Sequence, residues 1–109
     1  MIEDDDVEPP ASMAELVDEA VSTLTGVDRT ADGRATVLVR AGRPFAAVTG
    51  EILEFRLDPQ VAAAALRTPH TAASSRGTGW IRFAPPVLDQ YAVDRGTAWL
   101  GHAWRHALD

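Results

Sequence analysis

Met13, Leu16, Val17, Ala20, Val21 and Leu24 recur at helical spacing, leaving Glu15, Asp18, Glu19 and Ser22 for water. Ser12 followed by Glu15 makes a capping box at the start of this helix, and Gly26 supplies its stop. Residues Val27 to Arg34 are polar and predict a turn-rich connector. The period then shortens: Ala35 to Arg40, Pro44 to Thr49 and Ile52 to Leu57 predict three strands. Ala41-Gly42-Arg43 and Gly50-Glu51 separate them as tight turns, so the three form an antiparallel meander. Asp58-Pro59 places an N-cap before a proline at the first helical position and opens an alanine-rich helix to about Arg67, which Thr68-Pro69 closes. His70 to Thr78 predicts a small-residue loop. Gly79 to Phe83 predicts a fourth strand, ended by Pro85-Pro86 because proline cannot continue a ladder.

The last helix is predicted from about Asp89 to Leu108, with Ala92, Gly96, Trp99, Leu100, Ala103 and Ala107 as its buried spine and Tyr91 and Trp104 on the flanks. Gly96 and Gly101 cost helix propensity and mark places of close backbone approach. The expectation is a two-layer α+β domain over residues 11–109, in the order α-β-β-β-α-β-α, whose antiparallel sheet packs its helices on one face.

Composition narrows this picture. A chain of 109 residues fits one domain, which buries roughly two thirds of the surface its unfolded form exposes. The absence of cysteine excludes disulfides, thiolate metal sites and cysteine nucleophiles, and favours the cytoplasm. The N-terminus is acidic where a secretory signal would be basic, and the apolar run Val61 to Leu66 is far too short to span a bilayer, so neither export nor membrane insertion is expected. All ten basic residues are arginine, the coding habit of a GC-rich bacterial genome. Charge is unevenly placed: residues 1–32 carry ten acidic side chains and one arginine, whereas residues 33–109 carry six acidic side chains and nine arginines. Residues 1–10 combine that acidic run with Pro9-Pro10 and predict a disordered tail, either solubilising or lying over a basic face. A net charge of −6 repels nucleic acid and anionic membrane at long range, so such binding must come from a local arginine field.

Strand periodicity locates that field. Val37, Val39, Leu53, Phe55, Leu57, Ile81 and Phe83 are predicted to point to the core, and Arg40, Glu54, Arg56, Trp80 and Arg82 to the other face. Arg40, Arg56, Trp80 and Arg82 are the candidate ligand-binding set, since guanidinium groups bind phosphate and an indole stacks on a base. The alternative is an ordinary solvated face in which Glu54 pairs with Arg40 or Arg56.

His102 and His106, at i and i+4 on the last helix, have the spacing of a metal pair, but two ligands do not make a site; Arg95 and Arg105 on the same face oppose a cation. With Trp104 they form a candidate partner-binding or self-association surface, which would make a homodimer. Ser74-Ser75-Arg76-Gly77-Thr78-Gly79 has glycines but neither the lysine nor the following helix of a phosphate loop, and no serine sits on a nucleophile elbow. No cofactor and no catalytic residue are expected.

Phe45-Ala46-Ala47-Val48, then Ile52 through Pro59, then Gly79-Trp80-Ile81-Arg82-Phe83 and a closing helix resemble the MmcQ/YjbR and TfoX N-terminal group of small bacterial proteins, over about residues 35–108. The resemblance implies a compact α+β fold and, by the description sometimes given to that group, DNA binding. The glycine-methionine-phenylalanine-glycine element and the usual lysines of TfoX-like domains are absent. The expected role is a non-enzymatic binding module for nucleic acid or another anionic ligand through the arginine-bearing face, or else a self-associating module built on the last helix.

Overall fold

The computed structural model describes residues 10–109, so the predicted tail lies, except for Pro10, outside the described residues; Pro10 itself is buried. Three helices, α1 (Met13–Val21), α2 (Pro59–Ala65) and α3 (Gln90–His106), pack on a six-stranded antiparallel sheet. Its strands are β1 (Val27–Asp32), β2 (Ala35–Arg40), β3 (Arg43–Thr49), β4 (Ile52–Arg56), β5 (Thr71–Ala73) and β6 (Trp80–Phe83), in the spatial order β1-β2-β3-β4-β6-β5. The predicted α-β-β-β-α-β-α order is present, with two strands added. β1 forms where a turn-rich connector was expected, and β5 forms inside the predicted loop of residues 70–78. Both are edge strands, and β1 is exposed along nearly its whole length, so neither carries the apolar alternation that betrays a strand.

The helix-facing side of the sheet is set by cross-strand register. Leu38 pairs with Ala46, Ala46 with Phe55 and Phe55 with Ile81, while Leu53 pairs with Phe83; these residues are all nearly or fully buried in one core with the three helices. At the β2–β3 pairing the register shifts between Leu38 and Val39, so that Phe45 is an extra residue between Pro44 and Ala46. This bulge lets Phe45 and Ala46 both enter the core, each with no exposed surface.

It also corrects the predicted phase of β2. Leu38 and Arg40, not Val37 and Val39, lie on the helix side, and Arg40 donates to the Trp104 carbonyl at 2.8 Å. Val37-Leu38-Val39 is apolar at every position, so periodicity alone cannot choose its inward face.

Trp99 fills the centre of the core. Its indole meets the Phe83 ring edge-on at 5.2 Å and the Phe55 ring, tilted, at 5.3 Å. Gly96, one turn earlier, allows Leu16 of α1 to come within 3.4 Å of where a Cβ would stand. α1 is fixed at its start by Ser12, which accepts from the Glu15 N–H, and by Glu51 in the β3–β4 turn, which accepts from the Met13 N–H at 2.9 Å. Among the described residues, no helix is long and apolar enough to cross a membrane.

Candidate functional site

Side chains on the sheet face turned away from the helices include Val37, Ala47, Glu54 and Arg82 across one row of paired strands, and Val39, Pro44, Arg56 and Trp80 along the next. Of the four predicted ligand-binding residues, Arg56, Trp80 and Arg82 therefore share this face, which is closed over Val37 and Ala47 and open at Arg82. Arg40 does not: it lies on the opposite side, its guanidinium 3.6 Å from the centroid of the Trp104 ring.

The loop from Ser74 to Gly79 folds onto this face. Ser74 donates its hydroxyl to Glu54 Oε2 at 2.6 Å, Arg76 Nε donates to Glu54 Oε1 at 2.9 Å, and the Arg76 backbone N–H donates to Ser74 Oγ. The loop reaches this position because Gly79 takes a left-handed φ of +83° and donates no side chain where Leu57 O would stand 3.2 Å from a Cβ. Its carbonyl accepts from the Leu57 N–H at 2.9 Å.

Glu54 is thus saturated by the loop, and pairs with neither Arg40 nor Arg56 as the solvated-face alternative supposed. Among the described residues, Arg56 and Arg82 have no carboxylate partner.

Arg56, Arg76 and Trp80 line a groove of about 640 Å³ with Gly42 of the β2–β3 turn, Arg43 and Pro44 at the start of β3, and Asp109. Arg76 lies 5.8 Å from the Trp80 ring centroid. Arg43 is tied back to the end of α3, donating to the Ala107 carbonyl at 3.2 Å and to the Asp109 carbonyl at 3.4 Å. Three guanidinium groups around one partly buried indole offer the chemistry that suits an anion attached to a flat, polarizable body. Sequence reasoning missed Arg43, which it placed in a turn but which opens β3, and Arg76, which sits in a glycine-serine loop. The signal for Arg76 was the lone carboxylate Glu54 among arginines, which needed a partner from outside the meander.

No protein-family model, curated protein or solved structure matches the chain.

The surface predicted around Trp104 is engaged within the fold. The Trp104 indole N–H donates to the Thr25 carbonyl at 2.9 Å and its ring is covered by Arg40. The His102 and His106 rings stack with centroids 5.9 Å apart. His102 Nε2 accepts from the Asp58 backbone N–H at 3.3 Å, while His106 Nδ1 lies 3.5 Å from Asp109 Oδ2. Among the described residues, no three histidine, aspartate or glutamate side chains converge as metal ligands.

Burial, reinforced by the neighbouring His106 and Arg105, lowers the His102 pKa below 6.5 against the weaker opposing pull of Asp58 and Asp109. An imidazole that accepts the Asp58 N–H is neutral, in keeping with that direction. Below the unfolded-state value the unfolded chain then binds more protons at this site than the folded one. The His102 contribution is therefore whole above about pH 6.5, is lost as pH falls below it, and levels off under the lowered folded value. Urea titrations at pH ~7 and ~5 are expected to show a smaller acid loss of stability in His102→Gln than in the parent chain; equal losses would remove His102 as the cause.

Proposed function

We propose that this chain is a non-enzymatic binding module for phosphate-bearing ligands, acting through the groove formed by Arg43, Arg56, Arg76 and Trp80. The observation that carries this is the state of Glu54: held by Ser74 and Arg76, it orders the loop and leaves the Arg56 guanidinium without a carboxylate partner among the described residues. Arg76 spends only Nε on Glu54, and its two terminal nitrogens make no hydrogen bond among the described residues. They are free to bind two phosphate oxygens. Apart from Asp109, the lining offers only cations, an indole, glycine and proline, which bind and do not move protons or attack.

Calorimetric titration of the full chain with inorganic tripolyphosphate tests this. Binding is expected to weaken as salt rises, because the groove is open and screened. Arg56→Ala and Arg76→Ala are each expected to lower the affinity about tenfold, the scale of one charge-assisted contact. Binding that both substitutions leave intact would place the anion elsewhere and overturn the proposal.

A further inference from the structure

We infer that the ligand of this groove is a nucleoside polyphosphate, its base stacked on Trp80 and its phosphates held among Arg43, Arg56 and Arg76, an assignment that rests on the phosphate-binding proposal above. A phosphate chain alone has no use for an indole. Yet Trp80 lies in the groove only partly buried, directly across the β4–β6 pairing from Arg56 and with Arg76 beside it. Every base has a flat π face that such a ring can stack on, whatever its identity. The groove, at about 640 Å³, is of the size that encloses a small ligand.

The arrangement favours a mononucleotide over a strand. Proteins that hold single strands offer successive aromatic platforms along a basic track. Here Trp80 is the one aromatic side chain placed on the open face by the described strands, and three arginines crowd around it instead of following a path. Arg82, two residues along β6 on the same face, is the cation a strand would reach next, and it lies outside the groove. The net charge of −6 further opposes the approach of a long polyanion, whereas a nucleotide brings only a few charges.

The test titrates the full chain with ATP, GTP, inorganic tripolyphosphate and a short single-stranded deoxythymidine oligonucleotide. ATP and GTP are expected to bind about fivefold or more tightly than tripolyphosphate, the gain of one stacked base, and to quench tryptophan fluorescence. Trp80→Leu is expected to erase that gain and the quenching, so that nucleotides and tripolyphosphate bind the variant alike, and Trp80→Phe to keep part of the gain. A parent-like circular dichroism spectrum and urea midpoint show that either variant is folded. Arg82→Ala is expected to change none of these affinities.

Nucleotides that bind no better than tripolyphosphate would overturn the inference and leave the phosphate-binding proposal standing. Oligonucleotide binding far tighter than that of either nucleotide, and weakened by Arg82→Ala, would overturn it in favour of a strand. If none of the four binds, both fall together.

Discussion

Trp99→Ala is expected to destabilise the protein by about 3–5 kcal/mol, the cost of deleting a buried indole and leaving a cavity the surroundings fill only in part. The side chain stands where the sheet and α3 meet, only 7% exposed, between two fully enclosed rings, Phe55 and Phe83. Its edge-on approach to Phe83 adds to area burial the quadrupole term of an aromatic pair, about 0.5–1.5 kcal/mol. Neither phenylalanine can follow the receding surface, because each is fixed in a strand paired on both sides. A domain of this length has a total stability of roughly 5–15 kcal/mol, so the variant is expected to be near its unfolding threshold. Trp99→Phe keeps one ring of the cluster and is expected to lose less than half as much. Urea denaturation monitored by circular dichroism measures both; a loss under about 1 kcal/mol for the alanine variant would mean that the core closes over the gap, contrary to the packing described.

The elements built around this cluster were legible because their patterns are redundant. α1 has a capping box and a clean apolar stripe, α2 has Asp58-Pro59, and β4 and β6 alternate apolar with charged residues so sharply that Phe55, Ile81 and Phe83 could be assigned to the core from sequence. What failed did so for want of contrast. β2 and β3 read Val37-Leu38-Val39 and Phe45-Ala46-Ala47-Val48, runs apolar on both faces, in which neither the phase of β2 nor the extra residue at Phe45 leaves a trace in the pattern. β1 and β5 are polar or small and exposed, held by pairing that sequence does not display.

The candidate site was half legible for the same reason. Arg56 and Trp80 follow from the strong alternation of β4 and β6, which also puts Arg82 on their face but outside the groove. Arg76 joins them only through its contact with Glu54, 22 residues earlier in the chain, and Arg43 lines the groove from the start of β3 while tied to the end of α3.

Arg40→Ala provides the sharpest separation of the structural arginines from those of the groove. It is expected to lower stability by about 2 kcal/mol and to leave tripolyphosphate affinity unchanged, the converse of Arg56→Ala. The half-buried Arg40 guanidinium donates to the Trp104 carbonyl at 2.8 Å and stacks 3.6 Å from the centroid of the Trp104 ring, whose N–H in turn holds Thr25 before β1. One charge-assisted hydrogen bond contributes about 1.5–3 kcal/mol and one cation–π contact about 0.5–2, and partial exposure places their combined loss near the lower end. The positive charge also faces the carbonyl end of α3, where the helix dipole favours it. Arg40→Lys retains the charge but not the planar stack, and is expected to recover about half the loss. A phosphate affinity that fell with Arg40→Ala at unchanged stability would return this residue to the binding face on which the sequence alone had placed it. Lost stability with intact binding would confine ligand recognition to the groove between Trp80 and the β2–β3 turn.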